Sequence, residues 1–173
     1  MNMQSRFASL LLIVFCMSAA CFGQNQKRGP STPEERARAV KVAHDLQTDP
    51  LANNVQPERE WLIRWLIEIP DIGIDVCGGL LGDLGEKETG YPGALLSAML
   101  ASEAAIIIEH PDKAKDKQEV YLAGVDGALN AYQAIRKQDP KYHAPKLDDF
   151  LARRNEGKLK DAVAEATKAL KCE

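Results

Sequence analysis

The sequence predicts an all-α protein, a single compact bundle of five to seven helices behind a cleaved signal peptide. Three observations predict it. Apolar residues recur at i, i+3, i+4 and i+7 through most of the chain after residue 31, which is the spacing of one helix face. Proline and glycine punctuate these segments at short intervals, as helix stops and starts. The only stretch that alternates as a strand would, Ile72, Ile74 and Val76, has no obvious partner elsewhere in the chain.

The chain opens on a positive Arg6, an apolar run over residues 7–22, and a polar exit at Gln24-Asn25-Gln26-Lys27-Arg28. That order is the pattern of a secretory leader. The competing reading is a membrane anchor. The run falls short of the roughly 18–20 apolar residues that cross a bilayer, and it contains Ser9, Ser18, Cys16 and Cys21. Two cuts fit, after Ala20 or after Gly23. The signal peptide is assigned to residues 1–23, a flexible linker to 24–31 and a helical domain to 32–173.

Cysteine parity favours the later cut. It removes Cys16 and Cys21 and leaves Cys77 and Cys172, an even pair in an oxidising compartment. The sequence therefore predicts a Cys77–Cys172 disulfide. Ser18-Ala19-Ala20-Cys21 resembles a bacterial lipobox, with Ser18 where leucine is usual, and implies lipidation at Cys21 as the alternative. Loss of Arg6 with the leader leaves 21 basic residues against 25 acidic ones, a net charge of −4. This mild acidity argues against general binding to nucleic acid or to anionic membranes.

The first helix starts at Thr32-Pro33-Glu34-Glu35, a capping box with proline at the first helical position. Ala39, Val42, Ala43 and Leu46 give it one apolar face, and Thr48-Asp49-Pro50 ends it. The second starts at Pro57 and carries Trp61, Leu62, Trp65, Leu66 and Ile69, with Glu60, Arg64 and Glu68 on the other side. Residues 71–85 are ambiguous. A short helix capped by Asp71 and carrying Val76, Leu80, Leu81 and Leu84 is the favoured reading, weakened by Gly78, Gly79 and Gly82.

Residues 94–108 are apolar nearly all round, the mark of a central core helix. A long helix over residues 117–137 turns Val120, Tyr121, Val125, Ala128, Leu129, Tyr132 and Ile135 inward. Gly124 and Gly127 are costly inside a helix, so another helix should pack closely there. A short helix over 146–155 carries Leu147, Phe150 and Leu151, with Gly157 ready to end it. The last helix, 158–170, presents Leu159, Ala162, Val163, Ala166, Ala169 and Leu170 as its apolar face.

Ala128, Tyr132, Ile135 and Pro140 have the spacing of the second helix of a tetratricopeptide unit, and Ala162 and Ala169 fall again in phase. Over residues 128–170 the pattern resembles a fragment of such an array. It departs from it at Asp112, Lys115, Asp116 and Glu119, where aromatic and small residues belong, and at Asp149 and Phe150. Generic antiparallel helix pairing is the favoured reading.

Few residues suggest chemistry. Trp61 and Trp65 are candidates for a ligand groove, although a core stripe with Leu62, Leu66 and Ile69 explains them. Glu103 interrupts the most apolar helix. It is either a buried acid with a raised pKa or, as the sequence favours, part of a solvated stripe beside Ser102. His44, His110 and His143 lie in separate segments without ligand spacing. Nucleophile-elbow, P-loop and dinucleotide motifs are absent from the sequence. No catalytic or metal residue is nominated, and no cofactor is implied. The expectation is an exported, non-enzymatic module, periplasmic or extracellular, that binds a protein or small ligand and no nucleic acid. The alternatives are a structural envelope protein anchored through Cys21, which alone would bring it to a membrane, and an enzyme built from scattered acids such as Glu103.

Overall fold

Residues 28–77, 79–84 and 90–172 are described by a computed structural model. The signal peptide, both cut sites and Cys21 lie outside them. The described residues form six helices and no strand: α1 (Pro33–Thr48), α2 (Val55–Glu68), α3 (Pro92–Glu109), α4 (Lys117–Gln138), α5 (Pro145–Asn155) and α6 (Leu159–Leu170).

The predicted capping box starts α1. Thr32 Oγ1 accepts from the Glu35 N–H at 3.2 Å, and Glu35 Oε2 accepts from the Thr32 N–H at 2.9 Å. Its buried face is Ala39, Val42, Ala43 and Leu46. Before it, residues 28–31 are tied to the domain. Arg28 pairs with Glu35 and Glu68. The Ser31 N–H and Oγ donate to the Asp71 carboxylate at 2.8 and 2.7 Å. The second helix, α2, starts two residues before Pro57, at Val55, which is itself buried.

Among the described residues of the 71–85 stretch, the favoured short helix does not form. Residues 72–77 have no regular structure, and a turn follows at 79–81. Two causes are visible. The Asp71 carboxylate is occupied by Ser31 and by the Arg36 guanidinium at 2.8 Å, so it caps nothing. Gly79 and Gly82 sit at φ +84° and +71°, a left-handed conformation open to glycine and alien to a right-handed helix. The segment still serves the core, because Ile72, Cys77, Leu80 and Leu81 are buried without helical periodicity.

The central helix is α3. By length and hydropathy it would span a bilayer. Here its apolar surface is taken up by α1 and α4: Leu95, Ala98, Ala101 and Ala104 are fully buried. Its closest neighbour is α4, and the two glycines of α4 explain how close. A Cβ added at Gly124 would lie 2.7 Å from both Cγ and Oε1 of Glu103. One added at Gly127 would lie 1.9 Å from Ser102 Oγ. Residue number falls along α3 as it rises along α4, so the two helices run antiparallel.

Helix α4 is capped by Asp116, whose carboxylate accepts from the N–H groups of Gln118 and Glu119. Arg136 and Lys137 in its last turn suit the helix dipole. Helix α5 ends in a Schellman motif, with Lys158 N–H to Arg153 O at 2.8 Å, Gly157 N–H to Arg154 O at 3.0 Å, and Gly157 at φ +73°. The same two bonds close α6, from Cys172 to Thr167 and from Lys171 to Lys168, with Lys171 at φ +55° where glycine is usual. That reversal turns Cys172 back onto the body, where it stands at disulfide distance from Cys77, Cα to Cα 5.3 Å.

All four tyrosines pin non-helical backbone or helix-terminal side chains. Tyr142 donates to Leu84 O at 2.8 Å, Tyr121 to Cys172 O at 3.1 Å, and Tyr91 to Asp139 at 3.1 Å. Tyr132 donates to Asp148 at 2.8 Å and accepts from the Ala144 N–H at 3.1 Å.

Candidate functional site

Glu103 is fully buried, contrary to the solvated stripe that the sequence favours. The physical reason is the glycine opposite. The missing side chain at position 124 leaves room for the carboxylate between α3 and α4, and Met99, one turn earlier, closes the same seam. Neither carboxylate oxygen has a hydrogen-bond partner among the described residues. Desolvation pushes its pKa up to about 8, and the nearby Asp75 carboxylate adds to the effect. At neutral pH the group is therefore mostly a neutral acid, which removes most of the cost of burying it. Close by, Gly73, Asp75, Ile107 and Tyr121 line a small cavity of about 30 Å³. Lys117 lines it too, in an ion pair with Asp75 at 2.9 Å.

A hydrogen-bonded relay begins one residue away and crosses four helices. Ser102 Oγ donates to Ala98 O at 2.8 Å and accepts from Gln47 Nε2 of α1 at 2.9 Å. Gln47 Oε1 accepts from Asn130 Nδ2 of α4 at 3.0 Å. Asn130 Oδ1 accepts in turn from Arg154 Nη1 of α5 at 2.9 Å. The same Arg154 nitrogen donates to Asp126 at 3.0 Å, and its other nitrogen donates to Gln133. Each polar group in this chain is answered, so it fixes the relative placement of α1, α3, α4 and α5.

The relay surfaces at an open groove of about 420 Å³ where the end of α3 meets α4 and the start of α6. Its floor is apolar, built from Ile106, Leu122, Ala123 and Leu159. The rim carries both charges: Arg154 with Asp126, and Lys160 with Glu119 at 2.7 Å. Lys160 and Lys113 hold the Glu119 carboxyl below its ordinary pKa. An apolar floor with a few fixed polar groups at the edge is the usual composition of a binding site.

The tryptophans form no groove. Trp65 is buried. Trp61 stacks on it, with ring centroids 5.5 Å apart. The outer face of Trp61 is covered by the Arg38 guanidinium, 3.9 Å from the ring centroid. Arg38 is itself held by Glu58 at 2.9 and 3.0 Å. His143 lies 3.4 Å from Asp148. Among the described residues, no three or more His, Cys, Asp or Glu residues are grouped to hold a metal ion.

Cys77 and Cys172 come together as predicted. Glu103 stands apart from Trp61 and Trp65, and no second acid hydrogen-bonds to it. Sequence reasoning missed the groove and the relay. The one signal for them was the polar stripe Asp126, Asn130 and Gln133 at i, i+4 and i+7, which matches a single helix face. The tetratricopeptide-phase residues Ala128, Tyr132 and Ile135 are all fully buried, as any paired helix requires. No protein-family model matches this chain, and neither the curated proteins nor the solved structures contain a match to it.

Proposed function

We propose that this protein is an exported, non-enzymatic binding module, and that its ligand is a protein segment seated in the groove between α3, α4 and α6. The observation that carries the reading is the groove's construction. An apolar floor of Ile106, Leu122, Ala123 and Leu159 is bordered by fixed charges of both signs. Such a surface suits an amphipathic segment with a few aliphatic side chains and flanking polar groups. The part-buried relay behind Arg154 holds the rim in place before anything binds, which lowers the ordering cost of association.

Export supports the same picture. The leader pattern, the loss of Cys16 and Cys21 after a cut at Gly23, and the disulfide-distance pair Cys77–Cys172 all fit an oxidising compartment. Two experiments test the reading. Intact mass of the protein recovered from its host should show loss of residues 1–23 and a bonded cysteine pair. A retained leader or two free thiols would count against export. The recovered protein, used as bait on an envelope extract, should retain a ligand that Leu122→Asp abolishes and that Arg38→Ala leaves bound. Retention indifferent to Leu122→Asp would refute the groove as the site.

A further inference from the structure

We propose that the Cys77–Cys172 pair is a thiol–disulfide exchange site, at which a dithiol attacks Cys172 from a cavity beside α6 and Cys77 is the sulfur that leaves. The site requires a bonded pair, and so rests on the export proposed for this protein. Three observations carry it. First, the two cysteines are unequally covered. Cys77 is 5 % exposed, whereas Cys172 is only half-buried. Leu170 adds to the cover on the Cys77 side, where it lies over the turn that follows: a Cβ built at Gly79 would be 3.7 Å from Leu170 Cδ2. Second, Cys172 lines a cavity of about 310 Å³, together with Gln118 of α4 and Ala164, Thr167 and Lys168 of α6. Access decides which sulfur of a disulfide a thiolate attacks, and the open approach here leads to Cys172. Lys168 brings a positive charge to the same cavity, which favours a thiolate there.

Third, Cys172 is held by its main chain. Its N–H donates to Thr167 O at 3.0 Å, and its carbonyl accepts from the Tyr121 hydroxyl at 3.1 Å. Neither bond involves sulfur, so both outlast the cross-link and keep Cys172 beside Cys77 for the bond to re-form. The chemistry balances as a two-step exchange. One thiolate of the dithiol bonds to Cys172 Sγ as the Cys77–Cys172 bond breaks, and the electron pair leaves on Cys77. The second thiolate attacks the dithiol's own sulfur in the mixed disulfide and releases Cys172. The two protons lost by the dithiol end on the two cysteines. The dithiol is oxidised to its disulfide, and the protein is reduced to two thiols. The cavity is separate from the peptide groove, which meets α6 at its start.

Glutathione tests the direction of attack on the exported protein, because a monothiol in brief exposure stops at the mixed disulfide. After acid quenching, peptide mass mapping should find glutathione on Cys172 at least about ten-fold more often than on Cys77. Ala164→Phe fills part of the cavity and should slow this capture at least about ten-fold, with circular dichroism unchanged. Dithiothreitol should reduce the pair, and its removal in air should restore the bond within the monomer, with helix content retained throughout. Two free thiols in the protein as recovered would overturn the export reading along with this one. Four results would overturn the exchange site alone. They are a bonded pair that takes glutathione on Cys77 or equally on both sulfurs, capture no faster than global unfolding, capture at an unchanged rate in a folded Ala164→Phe, and a reduced pair that does not re-form its bond.

Discussion

Glu103 and Gly124 share one volume. A Cβ at position 124 would lie 2.7 Å from two atoms of the Glu103 side chain, so the acid is buried because the glycine makes room for it. Gly124→Ala should lower stability by about 1–3 kcal/mol through overpacking, even though alanine is the better helix former. In the double variant Glu103→Ala with Gly124→Ala, most of that cost should disappear. Urea denaturation of the four proteins in the cycle measures the coupling, and simple additivity would show that the two positions do not compete for space.

Stability should fall as pH rises from about 4.5 to about 8. The folded pKa of Glu103, about 8, lies above its ordinary 4.5, so the folded state holds the proton more tightly. The contribution is then fully present below about 4.5 and is lost as pH climbs through about 8. Glu103→Gln removes the titration. Its unfolding free energy should track the wild type near pH 4.5 and exceed it near pH 9 by several kcal/mol. Parallel midpoints for the two proteins over this range would show that Glu103 does not titrate within it.

Asp71 acts in the opposite sense. Burial opposes its charge, but Ser31 Oγ, the Ser31 N–H and Arg36 hold its pKa down to about 2. Its contribution is present above the ordinary 3.8 and is lost as pH falls through about 2. Asp71→Asn should therefore cost about 1–3 kcal/mol at pH 7 and little at pH 2, as loss of charge-assisted hydrogen bonds does. Thermal unfolding at the two pH values separates this from a plain packing defect, which would cost the same at both.

With the cysteine pair bonded, the cross-link closes a loop of 95 residues. Reduction, or the pair Cys77→Ser and Cys172→Ser, should cost about 2–5 kcal/mol, chiefly by freeing the unfolded chain. A midpoint that does not respond to reductant would mean that the thiols are unbonded in the folded protein.

Local signals were the readable part of this sequence. Thr32 and Glu35 announce their own capping box, and Gly124 and Gly127 announce a close helix contact because glycine has little other reason to sit there. The helix favoured for the ambiguous stretch 71–85 is missing from its described residues, where Asp71 is claimed by Ser31 and Arg36, residues distant in sequence. Glu103 was misplaced for a related reason. An all-round apolar helix has no polar face to fix its phase, so the sequence could not show that position 103 points at a glycine. The relay from Ser102 to Arg154 was equally hidden, since periodicity within one helix carries no information about which others it meets.

The aromatic residues divide the molecule optically. Both tryptophans sit in α2 against α1, whereas Tyr91, Tyr132 and Tyr142 cluster around the turn between α4 and α5, with centroids 4.9 and 5.8 Å apart in successive pairs. Indole emission therefore watches the first helical hairpin, and tyrosine ellipticity watches the opposite end of the chain. The protein carries two native dyes, one for each half, and a single melt followed at both wavelengths reads whether the halves come apart together.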